Sequence, residues 1–82
     1  MTELEKSHLR WGCRRGMLEL DLILLPFFDQ HFNDLSAESQ VLFSELLTCP
    51  DPEILSWFMG HTPPDARYVT LIETLRTCHY SR

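Results

Sequence analysis

Glycine is scarce in this chain, and a phosphate-binding loop needs several glycines close together. The 82 residues include three glycines, Gly12, Gly16 and Gly60, and no glycine-rich loop. Such a loop holds phosphates with its backbone N–H groups, because glycine lets the backbone approach the ligand closely. The shortage of glycine therefore excludes a nucleotide site of the P-loop or dinucleotide-binding type.

Cysteine and histidine are also few, and their spacing fits no common site. Cys13, Cys49 and Cys78 form no Cys-x-x-Cys pair, and no histidine is spaced from a cysteine as zinc ligands are. An odd number of cysteines, with no signal peptide before them, favours a reducing cytoplasm over secretion. We therefore predict no metal site and a cytoplasmic protein, most simply in a bacterium.

Long apolar runs are absent as well. The most apolar stretch covers residues 22–28, whereas a membrane-spanning helix needs about 20 apolar residues. The first five residues carry two glutamates, unlike an organelle transit peptide, which is poor in acids. We therefore expect no direct insertion into a membrane.

Positive charge is scarce beyond the first fifteen residues. The formal net charge is -5, which disfavours nucleic acid as a partner because phosphates require a basic surface. Four of the seven basic residues, Lys6, Arg10, Arg14 and Arg15, lie in the first fifteen, while 29–65 contains seven acids and neither Lys nor Arg. An acidic partner surface or an anionic cofactor could meet the basic end.

The apolar spacing predicts helices and no strands. A chain of 82 residues is long enough for one domain, and a helical bundle is the simplest way to give it a core. The predicted helices cover 3–14, 17–32, 37–48, 52–59 and 66–79. The fold prediction is therefore all-α, a single-domain five-helix bundle spanning 1–82.

Several residues mark where these helices begin and end. Gly16 interrupts the chain between the first two helices, and Gly60 ends the fourth. Ser36 is a typical N-cap, and Asp51 followed by Pro52 predicts another N-cap with proline at the first helical position.

The second predicted helix is apolar around nearly its whole circumference, which is typical of a helix at the centre of a bundle. Pro26 removes one backbone hydrogen bond from it. We therefore expect a kink or a split near 22–25.

The candidate site spans the junction of the first and second predicted helices. It ends where the apolar run of residues 22–28 begins. Arg14, Arg15, Gly16 and Glu19 fall within a few residues of Trp11. Arginine offers several planar donors, glycine lets a partner's backbone come close, and tryptophan is a frequent interface anchor. The alternative is a structural role, in which the cluster caps a helix and Arg15 pairs with Glu19 inside the chain.

Catalysis by this segment is the competing hypothesis. Cys13 lies beside Arg14 and Arg15, which would lower the pKa of its thiol, but no histidine–acid arrangement accompanies it. Glu19 and Asp21 are two residues apart, so on a helix they point in nearly opposite directions. We therefore predict no catalytic residue, with Cys13 as a packing residue and a small Cys/Glu-dependent enzyme as the alternative.

The same segment carries a five-residue motif, Arg-Gly-x-x-Glu, here Arg15-Gly16-Met17-Leu18-Glu19. With this motif the chain resembles the bacterial succinate dehydrogenase assembly (flavinylation) factor family. The wider similarity includes Trp11, Cys13, Arg14, Leu20, Asp21, Pro26-Phe27-Phe28, Leu35-Ser36, Asp51-Pro52 and Trp57. It extends over almost the whole chain.

The resemblance implies a five-helix bundle without enzymatic activity. A monomer is the default expectation, because the sequence gives no clear oligomer signal. It implies binding to the flavoprotein subunit of succinate dehydrogenase, and of fumarate reductase, to promote covalent attachment of FAD to a histidine there. No cofactor is expected to bind stably to the chain itself. The partner-binding residues that it implies are Trp11, Arg14, Arg15, Gly16, Met17, Glu19 and Asp21.

Two further expectations accompany the resemblance. Arg15 and Glu19 are expected to make contacts of opposite charge with the flavoprotein, while Gly16 keeps the two surfaces close. Bacterial members of the family have also been labelled the antitoxin of a toxin–antitoxin pair whose toxin is a membrane protein. An antitoxin-type binding module is therefore the alternative function.

Overall fold

Five α-helices follow one another along the chain. The computed structural model describes residues 1–81. The helices are α1 (Glu3–Gly12), α2 (Leu18–His31), α3 (Ala37–Leu46), α4 (Asp51–Met59) and α5 (Val69–Tyr80), with 3₁₀ turns at Phe32–Asp34 and Ala66–Tyr68. No strand occurs within residues 1–81. The all-α, five-helix prediction is confirmed.

Local hydrogen bonds account for where several helices begin and end. At the start of α1, the Thr2 hydroxyl accepts a hydrogen bond from the Glu5 N–H, and the Glu5 carboxylate accepts one from the Thr2 N–H. At the start of α3, the Ser36 hydroxyl accepts from the Ser39 N–H at 3.1 Å, as predicted. Gly60 ends α4 with φ +79°, a left-handed conformation that glycine adopts at little cost.

Most helix boundaries differ from the prediction by one to three residues, the largest shift being the start of α5 at Val69 after the 3₁₀ turn, and two of the shifts affect the site. Helix α1 ends at Gly12, so Arg14 and Arg15 lie beyond its last turn. Helix α4 begins at Asp51 after Pro50, and no side chain caps it. The predicted N-cap at Asp51 is wrong because the Asp51 carboxylate accepts a hydrogen bond from Arg15 instead.

Helix α2 lies at the centre of the bundle, where it packs against α1, α4 and α5. Its Phe27 joins an aromatic cluster with Phe32 and Phe43. The ring centroids of Phe27 and Phe32 each lie 5.7 Å from the ring centroid of Phe43. All three are at most 1% exposed. Aromatic pairs at this distance stabilise a core by about 0.5–1.5 kcal/mol each beyond the area that they bury.

The predicted central position of α2 is confirmed, yet one apolar stripe of the helix is exposed. Leu18 and Leu22 are 69% and 55% exposed, and residues four apart share one face of a helix. The stripe stays exposed because the helices that pack on α2 leave that face open. The expected split near 22–25 is absent, since α2 is continuous from Leu18 to His31 with Pro26 inside it; the alternative, a kink, stays a prediction.

We predict that Gly60→Ala lowers the free energy of unfolding by about 1–2 kcal/mol, because the left-handed conformation strains any residue with a Cβ atom. Gly12→Ala is the control. A Cβ atom there would meet the Leu47 Cδ1 atom at 3.6 Å, an ordinary contact, so no loss is expected. Urea denaturation followed by circular dichroism measures both, and equal losses would contradict the prediction.

Candidate functional site

The candidate site is built on the loop of residues 13–17, which joins α1 to α2. Cys13 is fully buried, Arg14 is exposed, and Gly16 is exposed with φ +78°. A Cβ atom on Gly16 would meet no other atom within 4 Å. The glycine is therefore needed for the backbone conformation of the loop, and the space above it is open.

Arg15 points inward and ties the loop to the turn before α4. Its Nε donates to Asp51 Oδ1 at 2.7 Å, its Nη1 to the Gly12 carbonyl at 2.9 Å, and its Nη2 to the Cys49 carbonyl at 3.3 Å. The side chain is 17% exposed. We call this set of bonds the Arg15 bridge; it holds the end of α1, the loop and the start of α4 together.

Asp21 holds the other side of the loop. Its Oδ1 atom accepts a hydrogen bond from the Arg15 backbone N–H at 2.7 Å, from its position in the first turn of α2. Asp21 therefore acts on the shape of the loop, and its carboxylate points to the loop backbone.

The structure corrects the contacts expected of Arg15 and Glu19. The Arg15–Glu19 pair of the alternative, structural interpretation does not form, because Arg15 pairs with Asp51. Glu19 is exposed and has no salt-bridge partner among residues 1–81. Of the two charges expected to face a partner, the carboxylate of Glu19 is turned to solvent and the guanidinium of Arg15 is turned into the fold.

The exposed part of the site combines an aromatic ring with a cation. Trp11 is 71% exposed, and the Arg14 guanidinium lies 5.4 Å from the centroid of its ring system. An exposed indole beside an arginine is typical of protein–protein interfaces. The exposed members of the predicted site are Trp11, Arg14, Gly16 and Glu19, and the partly buried ones are Arg15, Met17 and Asp21. Their assignment to partner binding stays a prediction.

A groove of about 480 Å³ runs between this loop and α4. Its lining residues are Met17, Glu19, Pro52, Leu55, Ser56, Met59 and His61. Sequence reasoning missed Leu55 and Met59 as site residues, because it had no means of placing α4 beside the loop. No sequence signal could have found them, because the 52% exposure of Met59 at the end of α4 is visible only in the structure.

Cys13 is a core residue, which confirms the packing prediction. It is 0% exposed, and burial raises the pKa of its thiol to about 12, against the smaller opposing effect of the Arg15 and Arg10 guanidinium groups. The expected lowering of this pKa is therefore wrong. The thiol stays protonated at neutral pH and is a poor nucleophile.

Neither a metal-binding cluster nor a membrane span is found in the described part of the chain. Residues 1–81 contain no group of three or more His, Cys, Asp or Glu side chains arranged to hold a metal ion. No helix among the same residues is long and apolar enough to cross a membrane.

The fold and the site define a small helical protein that carries its distinctive residues on an exposed loop. A family model described as the flavinator of succinate dehydrogenase matches residues 7–79. The chain belongs to this family, which confirms the resemblance inferred from the Arg-Gly-x-x-Glu motif.

Named relatives support the same assignment. The chain is 49% identical over 77 residues to the FAD assembly factor SdhE of Shewanella oneidensis, a match that covers 93% of this chain and 94% of the relative. It is 54% identical over 57 residues to the protein of the same name from Idiomarina loihiensis, covering 70% of this chain and 63% of the relative. The chain thus spans less than two thirds of the Idiomarina protein and nearly all of the Shewanella protein.

We predict that Asp51→Asn lowers the free energy of unfolding by about 1–2 kcal/mol, because it weakens a partly buried, charge-assisted bond. The control is Asp29→Asn. Arg10 binds Asp29 with two bonds, Nε to Oδ1 at 2.7 Å and Nη2 to Oδ2 at 3.0 Å, but both of those side chains are nearly half exposed. Exposed pairs contribute little, so urea unfolding should show a clearly smaller loss for the control. A larger loss for Asp29→Asn would show that the Arg15 bridge is not the stronger link.

We also predict that Cys13 resists thiol reagents in the folded protein at pH 8, while Cys49 and Cys78, which are half-buried, react first. Ionising Cys13 disfavours the folded state, because its pKa rises from 9.0 to about 12 on folding. The stabilising contribution of its neutral form is complete below pH 9 and falls as the pH rises toward 12. Mass spectrometry of the labelled peptides measures the order of reaction, and early labelling of Cys13 would refute its burial.

Proposed function

We propose that this protein assists the assembly of succinate dehydrogenase by binding its flavoprotein subunit and promoting covalent attachment of FAD to a histidine there. The observation that carries the proposal is the family match over residues 7–79, which includes the whole α1–α2 loop. The name shared by the Shewanella and Idiomarina relatives, FAD assembly factor, supports it.

The chain's contribution, in this proposal, is binding and positioning. The flavin ring and the acceptor histidine belong to the flavoprotein, and holding them in a reactive geometry lowers the barrier without an added catalytic group. The rigid loop suits this task, because the Arg15 bridge and the Asp21 bond fix its shape before a partner arrives. A preformed surface loses little conformational entropy on binding.

A non-catalytic role agrees with the state of the candidate reactive groups. The Cys13 thiol is buried and protonated. The Asp21 carboxylate accepts a hydrogen bond from the Arg15 N–H, whereas Glu19 is exposed to solvent. No pair of these groups is arranged for acid–base or nucleophilic catalysis, so we propose that the protein is not an enzyme.

The wider setting combines the family resemblance, which suggests the second partner, with the expectations drawn from the sequence. We propose the flavoprotein subunit of fumarate reductase as a second partner, a monomeric state and a cytoplasmic location. We also propose that FAD does not bind stably to this chain. The family description and the relatives' names support the flavin-assembly function and lend nothing to the antitoxin alternative.

The deciding experiment is deletion of the gene, followed by denaturing electrophoresis and in-gel flavin fluorescence of the flavoprotein subunit. We expect covalent flavin to fall strongly in the deletion strain and to return with the wild-type gene. Covalent flavin that is unchanged by the deletion would overturn the proposed function.

We predict that Gly16→Arg fails to restore covalent flavin although the protein still folds. The new side chain would extend from an exposed position with open space around it, toward the side from which a partner approaches. Gly16→Asn is the control, because asparagine is short and tolerates the left-handed conformation. We expect Gly16→Asn to restore most of the flavin; normal flavin with a folded Gly16→Arg protein, checked by circular dichroism, would contradict the prediction.

A further inference from the structure

We propose that the groove between the α1–α2 loop and α4 receives a surface segment of the flavoprotein in which a bulky apolar side chain lies next to a Lys or Arg. This inference rests on the proposed function and deepens it, because it states what part of the partner is recognised and by which residues. We call this feature the α4 groove; it is lined by Met17, Glu19, Pro52, Leu55, Ser56, Met59 and His61.

The walls of the α4 groove are mainly apolar. Met17 lies on the loop side, and Pro52, Leu55 and Met59 lie on the α4 side. Its volume of about 480 Å³ exceeds the roughly 150 Å³ that holds a benzene ring in a protein cavity. Methionine is unbranched and adapts its shape to different apolar groups. The groove is therefore suited to a bulky apolar side chain.

The negative charge of Glu19 at the groove favours a partner segment in which a basic residue lies next to the bulky apolar side chain. Glu19 is the acid among the lining residues, and it is exposed and has no salt-bridge partner within residues 1–81. Asp21 and Asp51, the other acids beside the loop, already accept hydrogen bonds from Arg15. A Lys or Arg on the partner would supply the missing opposite charge, and like charge would be repelled.

The groove is continuous with the motif, and its two walls are linked. Met17 and Glu19 belong both to the Arg-Gly-x-x-Glu segment and to the groove lining, so a partner that contacts Gly16 reaches the groove without a gap. The Arg15 bridge joins the loop to Asp51, the first residue of α4. Since the two walls are linked in this way, the groove is present before binding.

Affinity for the purified flavoprotein subunit tests the two halves of the inference separately. We expect Met59→Gln and Glu19→Lys each to weaken binding by about 10-fold, the loss typical of a central interface residue. The matched controls lie on α3: Val41→Gln replaces an apolar residue of equal exposure, 51% against 52% for Met59, and Glu38→Lys reverses another exposed acid. Both controls should bind within about 2-fold of wild type.

The occupant is identified by placing a benzophenone amino acid at position 59, and at position 41 as the control, and irradiating the complex. We expect position 59 to capture a flavoprotein peptide in which a Lys or Arg adjoins a bulky apolar residue, and position 41 to capture none. A captured peptide without that pattern, or capture of a second copy of this chain, would overturn the inference.

Failure of the inference is distinguishable from failure of the proposed function. If the wild-type protein neither binds the flavoprotein nor restores its covalent flavin, the proposed function is wrong. If the wild type does both while Met59→Gln and Glu19→Lys bind like their controls, the function stands and the groove inference is wrong.

Discussion

The interaction on which the site depends is the set of bonds made by the Arg15 guanidinium. These bonds reach a carbonyl at the end of α1, a carbonyl in the turn before α4 and the carboxylate of Asp51. A planar guanidinium with several fixed donors can join three segments at once, which a lysine ammonium cannot do with the same geometry. The motif arginine, Arg15, therefore holds the α1–α2 loop in place from its buried side.

This arrangement divides the motif into support and surface. Arg15 and Asp21 hold the loop from opposite sides, while Gly16 supplies the left-handed turn between α1 and α2. Glu19 stays exposed, as does Arg14 against the Trp11 ring. A motif defined by sequence alone groups these residues together, although the structure gives them different physical tasks. The surface that remains for a partner is acidic at Glu19, basic at Arg14 and apolar along α4.

Tertiary packing decides which reactive and which apolar side chains are buried, and this burial sets their properties. Cys13 lies near the Arg15 and Arg10 guanidinium groups, yet desolvation in the core outweighs their charge and raises its pKa. Leu18 and Leu22 belong to the most apolar helix, yet they remain exposed. In a chain of 82 residues, five short helices leave a large fraction of the apolar surface uncovered, so an exposed leucine or methionine has no local cause that a sequence pattern could reveal.

The sequence by itself determined the features that depend on near neighbours. Helical spacing predicted five helices, Ser36 predicted a cap that forms three residues away, and Gly60 predicted a helix end; the Arg-Gly-x-x-Glu motif identified the family. Tertiary structure alone decided that Arg15 pairs with Asp51, 36 residues away, and not with Glu19. It also placed α4 beside the loop and decided that desolvation, not the neighbouring arginine charge, sets the direction in which the Cys13 pKa shifts. The physical reason is that helix formation and capping follow from side chains within one or two turns, whereas ion-pair choice and burial depend on which helices pack together.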